Sequence, residues 1–212
     1  MMSKLRRSSM REQCYEIIKE KIFRQVYDLG EDINILALSN ELSVSNTPVR
    51  EALSRLEADG LVESSLNMKT KVISFNEHNF HEMVQTITIL LDGAYVHCIA
   101  ENKVALLGYF LSQSLKKQQA CLDAKDFYNF IFETLAFDRC FLDALGNARL
   151  ISVFDSLSNV LFLMFRMNHQ KDTNQRELCI EEHKKIVEAV EKNQHDEVRK
   201  LLTRHFNKKL NS

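Results

Sequence analysis

The chain is poor in the residues that make turns, with one Pro and five Gly among its 212 residues. Gly supplies positive φ and Pro pre-sets φ in tight turns, so a sheet-rich or loop-rich fold consumes both. Their scarcity predicts long helices joined by short connections. Long unbroken apolar runs are also missing. The longest, such as Val160–Phe165, fall far short of the roughly 20 residues that a membrane helix needs, so no membrane partner is expected. Lys4, Arg6 and Arg7 are followed by no apolar stretch, and the start of the chain does not read as a secretory signal. Cysteine is present without pattern: Cys14, Cys98, Cys121, Cys140 and Cys179 are scattered, odd in number, and form no C-x-x-C pair. That excludes an evident disulfide framework and predicts reduced thiols, buried as small hydrophobes, in a cytoplasmic protein. An excess of one charge is lacking too. The formal net charge is −1, and within residues 1–75 eleven Lys/Arg meet eleven Asp/Glu. Gross basicity therefore announces no nucleic-acid binder, and any such role has to rest on pattern and local clusters.

What is present is an ordinary globular composition, 45% hydrophobic and 27% charged, with clear helical periodicity. After a basic, polar arm to about Ser9, apolar residues Cys14, Ile17, Ile18, Ile22 and Val26 recur at helical spacing over Met10–Val26. Asp28-Leu29-Gly30 ends that helix. A second helix runs from about Ile35 to Leu42, with Leu36, Leu38 and Leu42 as its inward face. A third opens after Ser43–Asn46, with Thr47 as N-cap and Pro48 at the first helical position, where its missing N–H costs nothing. Val49, Leu53 and Leu56 form its buried stripe, and Gly60 ends it. The period then changes: Leu61-Val62-Glu63 and Thr70-Lys71-Val72-Ile73 are short β-prone runs, with a turn over Ser64–Met68 in which Asn67 takes a left-handed conformation. Helix, helix, turn, helix and hairpin in one stretch predict a winged helix-turn-helix over residues 1–75. Residues 76–78 read as a linker. Residues 79–212 read as six helices: Asn79–Asn102, Val104–Leu122, Asp126–Leu145, Ala148–Asn168, Thr173–Lys192 and Asp196–Leu210. The fold class is mainly α, the winged domain being followed by an all-α antiparallel bundle.

A recognition helix must be short, capped, packed on its inner face and polar at its exposed start, where it meets base edges and phosphates of the major groove. Ser45, Asn46, Thr47, Arg50 and Ser54 sit at such a start. Arg50 suits a guanine or a phosphate, and Lys69 and Lys71 in the wing suit the DNA backbone. From periodicity alone the same helix is also compatible with a purely structural role, Arg50 being a solvated charge.

The run Val44-Ser45-Asn46-Thr47-Pro48-Val49-Arg50-Glu51-Ala52-Leu53, followed by Arg55-Leu56-Glu57-Ala58-Asp59-Gly60-Leu61-Val62, resembles the signature of GntR-family transcriptional regulators, V-S-R-T-P-V-R-E-A-L with a later G-L-V. The helical remainder resembles the FadR subgroup with its FCD ligand domain, so the resemblance spans nearly the whole chain. It implies a homodimer on a roughly palindromic operator in double-stranded DNA. It also implies control by a small effector, often a carboxylate metabolite, and repression as the commoner output. Three positions depart from the family. Asn46 stands where Arg is usual, Leu36 aligns with a second DNA-contacting Arg, and Asn67 falls where the wing usually has Gly. Asn reads adenine rather than guanine, so an altered operator is expected.

The same resemblance implies a divalent metal in the helical domain, held by an Asp, a His four residues later, and two His on later helices. Here His183 and His205 match the two later positions, Asp138 stands where the first His is usual, and Thr134 where Asp is usual. Asp138, His183 and His205 are thus candidate ligands for Zn, Ni or Mn; the alternative is that these groups bond one another or an effector. Thr88 aligns with an Arg that usually faces the effector pocket, and Thr88 and Thr134 are candidate pocket residues. Phe127, Phe130, Phe132, Phe137, Phe141, Phe154, Phe162 and Phe165 crowd the central helices; they read as core, the alternative being a pocket suited to a more apolar effector than a small hydroxy acid. Two other readings stay open on residues alone: a helical metal-dependent enzyme using Asp138, His183 and His205, and a winged helix that binds protein. No nucleophile motif or Gly-rich phosphate loop favours the enzyme.

Overall fold

The computed structural model describes residues 9–64, 69–171 and 174–208. It divides into two compact units, residues 1–75 and 76–212. The basic arm and the turn at 65–68, Asn67 included, lie outside the described residues.

The first unit opens with helix α1, Met10–Phe23, capped by Ser9, whose side chain accepts from the Glu12 amide at 3.2 Å. Its buried residues Cys14, Tyr15, Ile18, Ile22 and Phe23 form one face, which packs on helix α3, Asn46–Ala58. Between them come strand β1, Asp32–Ile33, and helix α2, Ile35–Leu42, capped by Asn34. After α3 the chain forms strands β2, Val62–Ser64, and β3, Thr70–Val72. The sheet order is β1-β3-β2, all antiparallel, with Val62 opposite Val72 and Ile33 opposite Thr70. This is a helix-turn-helix with a wing. Strand β1 escapes sequence reading because two residues carry no periodicity; only pairing with β3 makes it a strand.

The structure corrects several local expectations. Helix α1 ends at Phe23, not Val26, which is exposed. Gln25 turns left-handed (φ 57°), and the Val26 and Gln25 amides close back on the carbonyls of Lys21 and Ile22. That hydrogen-bond pattern is a Schellman stop. Leu36 is 62% exposed rather than inward. Thr47 is not the N-cap: Ser45 is, and Pro48 falls at the third helical position.

The low glycine content has a visible consequence. Among the described residues Gln25, Ser43, Asn102, Lys125 and Asn193 all hold positive φ. Each is followed by a residue whose amide reaches back five residues: Val26 to Lys21, Val44 to Ser39, Lys103 to Cys98, Asp126 to Cys121, and Gln194 to Ala189. These helix stops use left-handed residues that bear a Cβ, each costing about 1 kcal/mol over glycine, and the closure of the last carbonyls offsets it.

The second unit holds α4, Glu77–Ala100; α5, Val104–Asp123; α6, Phe127–Leu145; α7, Ala148–Lys171; α8, Asn174–Glu191; and α9, His195–Lys208. The segment 76–78, read as a linker, is the cap and first turn of α4, fixed by a reciprocal capping box between Asn76 and Asn79. Helix α6 packs on α4, α5 and α7, and α8 packs on α5 and α9. Of the eight phenylalanines expected in the core, Phe127 and Phe132 are 38% and 39% exposed, while Phe130, Phe137, Phe141, Phe154, Phe162 and Phe165 are buried. Helix α4 and the stretch Ala148–Met167 are long and apolar enough to cross a membrane by length and composition, with mean hydropathy 1.3 and 1.5. Counting unbroken apolar runs overlooks them, because isolated polar residues interrupt both. In the bundle each packs on α6, as a core helix does.

Candidate nucleic-acid interface and buried polar cluster

The start of α3 presents its polar residues to solvent. Ser45, Asn46, Thr47, Arg50 and Ser54 are all exposed. Ser45 makes no side-chain cap bond. Pro48 contributes to this: a cap side chain bonds the second or third helical amide, and the proline at the third position leaves only the Thr47 amide, which Ser45 does not bond. The first-turn amides are thereby left open to an anion, which the helix dipole favours. Arg11, which sequence reading did not single out, lines a shallow cleft there with Ser45, Thr47 and Pro48. It comes from α1, 34 positions before Ser45 in the sequence, so no linear motif signals it.

Two arginines on this helix differ in kind. Arg50 is exposed and makes no ion pair among the described residues. Arg55 is spent on structure: it pairs with Glu12 at 2.6 Å and stacks over the Tyr15 ring at 3.9 Å. Tyr15 in turn donates to Asp59 Oδ2 at 2.6 Å. Burial, then the Asp59 bond, push the Tyr15 phenol well above its ordinary range. In the wing, Lys69 lies 3.5 Å from Asp32 and Lys71 3.0 Å from Glu63. Asn46 is held back toward α2, its side-chain amide 2.8 Å from the buried Ser39 hydroxyl, whose one proton is shared with Leu36 O at 3.0 Å.

In the second unit the polar groups are buried. Thr134, Asp138, His183 and His205 are 0%, 2%, 0% and 1% exposed. The ligand-bearing atoms that converge are those of Cys179, His183 and His205, all within 4.8 Å of one another. Asp138, expected as the third of this set, is not in it; Cys179 takes that place. Four residues separate Cys179 from His183, which puts both on one face of α8. That spacing is the signal sequence reading overlooked by looking only for carboxylate/His pairs.

The His183 ring stacks on Phe137 with centroids 3.7 Å apart and planes 6° off parallel. Its Nδ1 meets Gln118 Oε1 at 2.7 Å, and its Nε2 lies 3.8 Å from Cys179 Sγ. Gln118 Nε2 donates to Thr134 Oγ1 at 2.5 Å, and the Thr134 hydroxyl donates to Phe130 O at 2.9 Å. On α9, His205 Nδ1 meets Glu182 Oε2 at 2.6 Å. Gln118 and Glu182 were not foreseen. Thr88 is half-buried and spends its hydroxyl on Val84 O, one turn back. The thiols elsewhere are quiet: burial pushes Cys98 up to about 11 and Cys140 up to about 12, far from the thiolate that redox chemistry needs.

Residues 10–72 match the family model described as bacterial regulatory proteins, gntR family, and residues 100–208 match the FCD domain. The chain is a GntR-family regulator with a C-terminal FCD domain. The regulator resembles, at 24% identity over 199 residues, the uncharacterized HTH-type transcriptional regulator YdhC of Bacillus subtilis, spanning 92% of this chain and 87% of that one. The gluconate operon transcriptional repressor of Bacillus licheniformis is 20% identical over 193 residues, spanning 89% and 79%. A solved GntR transcriptional regulator from Rhodococcus sp. RHA1 has the same fold, with TM-score 0.74, 15% identity and 95% of each chain covered. The GntR family consists of transcriptional regulators, not enzymes, which removes the reading of the buried histidines as a catalytic centre.

Proposed function

We propose that this GntR-family regulator is a cytoplasmic homodimeric repressor whose operator affinity is set by a small effector bound in the FCD domain. The observation that carries the DNA half is the exposed, uncommitted start of α3: Arg50 without an ion pair among the described residues, beside open first-turn amides. Ser45, Asn46, Thr47, Arg50 and Ser54 face the major groove in this reading, and Lys69 and Lys71 take phosphates by exchanging their carboxylate partners for DNA. Two-fold pairing is supported by Ile89 and Val96, which share a face of α4 and are 65% and 42% exposed. Repression is the role named for the B. licheniformis relative.

In the same reading the FCD domain holds a divalent metal through His183 and His205. Two buried imidazoles with their Nδ1 atoms already engaged are a fitting donor pair. When bound, such an ion supplies a Lewis-acidic anchor for an anionic effector. Thr134 and Thr88 belong to the pocket wall, and Thr134 touches the chain of bonds that ends on His183.

The test is selection of genomic fragments by the purified protein, followed by gel shifts at near-physiological salt. A palindromic site bound by a dimer, released by one metabolite class, is the expected result. A folded dimer that enriches no site above non-specific binding, with or without metabolite extracts, sinks the repressor reading.

A further inference from the structure

We propose that the cavity between the α5–α6 corner and the first half of α8 binds a small zwitterion with an apolar side chain, an α-amino acid of the leucine or phenylalanine class. Arg176, Ile180 and Lys184 recur four residues apart on the face of α8 that lines this cavity. Cys179 and His183 lie on the neighbouring face, turned into the bundle. The cavity is thus a second ligand site of the FCD domain, and it rests on neither the metal nor the effector reading above.

The cavity measures about 620 Å³, within the roughly 300–1,000 Å³ of small-molecule sites. Its floor is apolar. Ile180 is 2% exposed and belongs to a core with Phe130 and Cys179, against which Leu122 packs. Phe127, the first residue of α6, makes a side wall, with the Arg176 guanidinium stacked 3.8 Å over its ring. That stack fixes two side chains that would otherwise swing freely. The Phe127 ring nevertheless stays 38% exposed, so an apolar ligand group seated beside it gains further burial.

The charged groups around this floor divide into committed and uncommitted. Asp123 accepts from Gln119 Nε2 at 2.9 Å, and Glu181 accepts from Lys184 at 2.7 Å. Lys125 and Glu177 are exposed, and neither side chain has a hydrogen bond or ion pair among the described residues. They stand on different walls. Lys125 sits at the left-handed corner after α5, at φ 56°, and Glu177 in the first turn of α8. Opposite charges that line one cavity without pairing suit a ligand that carries both signs. Its carboxylate meets Lys125, its ammonium meets Glu177, and its side chain lies on Leu122 and Ile180. A plain carboxylate meets repulsion from Glu177, and a plain amine meets repulsion from Lys125. The same charge pattern therefore both attracts the zwitterion and rejects its singly charged analogues.

The experiment is isothermal titration calorimetry of the full-length protein with L-leucine and L-phenylalanine, and with two leucine analogues that each keep one charge, 4-methylpentanoate and 3-methylbutylamine. One amino acid per chain is expected, with each analogue about 10–100-fold weaker than leucine, the worth of one charged hydrogen bond. Lys125→Asn removes the cation and tolerates the left-handed backbone. It should weaken leucine and 4-methylpentanoate by that factor and leave 3-methylbutylamine unchanged. Glu177→Gln should weaken leucine and 3-methylbutylamine and leave 4-methylpentanoate unchanged. Each variant is read by which analogue it affects, a pattern that general loss of fold does not produce. Leucine binding that neither variant alters overturns the site. A 4-methylpentanoate that binds as tightly as leucine overturns the ligand class. A folded protein that takes up neither amino acid at millimolar concentration, by calorimetry and by equilibrium dialysis, overturns the proposal, while operator selection by the same protein stands or falls separately.

Discussion

The regulator carries two concentrations of polar side chains, and they are built on opposite terms. At the start of α3 the polar groups are exposed and largely uncommitted, Arg50 above all. Around α8 and α9 they are buried and tied to one another: Gln118 to Thr134 and His183, His205 Nδ1 to Glu182. An exposed group can wait for DNA because water satisfies it meanwhile. A buried group has no water to fall back on and must be satisfied within the fold. The first surface is therefore suited to a large, exchangeable, charged partner. The second is suited to something small that a fixed geometry selects.

The largest effect is expected at Phe137. This ring is fully buried and stacks on His183. Phe137→Ala should cost about 3–5 kcal/mol of bundle stability, measured by denaturant unfolding, and should loosen His183 as well. A loss below 1 kcal/mol would mean that the packing around the cluster is not tight, and the contrast with α3 would lapse. The exposed side is sharpened by Arg50→Ala. It should leave the unfolding midpoint in place and weaken operator binding by about 1–3 kcal/mol, roughly 5–150-fold. Unchanged operator affinity in a quantitative gel shift would remove Arg50 from the reading surface. Lys71→Ala should act more weakly and without sequence preference. Its pairing with Glu63 is solvent-exposed, so stability should move by less than about 1 kcal/mol. The slope of log K against log salt should fall by about one. A slope that stays put would mean that Lys71 never leaves Glu63.

The two sites were unequally legible in the sequence for a geometric reason. The reading helix is one contiguous run, Val44–Leu53, so its order along the chain is its order in space. The buried cluster is assembled from Gln118 on α5, Thr134 and Phe137 on α6, Cys179, Glu182 and His183 on α8, and His205 on α9. The two histidines could be found by pattern. Gln118 could not, because a glutamine inside an amphipathic helix carries no sign of what it touches across the bundle. The helices were legible from periodicity, but their ends were not. A helix that stops at Gln25 or Lys125 rather than at glycine gives no sequence mark. Leu36 shows the same limit: apolarity alone does not say which way a residue faces on a helix of two turns.

The smallest effect on operator affinity is expected at Ser39, and it tests a tie within the exposed site itself. Ser39 is 3% exposed, and its hydroxyl lies 2.8 Å from the side-chain amide of Asn46. Bidentate recognition of adenine requires both the oxygen and the nitrogen of an asparagine amide. In the free protein one of the two is occupied, so Asn46 serves the joint between α2 and α3 before it serves DNA. Ser39→Ala removes the tie. It should cost about 0.5–1.5 kcal/mol of stability in the winged unit, seen as a lower unfolding midpoint. Operator affinity should hold or tighten, and discrimination for adenine at the contacted position should rise, because Asn46 no longer breaks a bond to reach the base. If affinity falls along with stability, the Ser39 bond instead aims Asn46 at its target. Asn46→Ala would then lose the same discrimination that Ser39→Ala loses, and the exposed surface would prove pre-organised after all, by the same logic of committed bonds that governs the buried cluster.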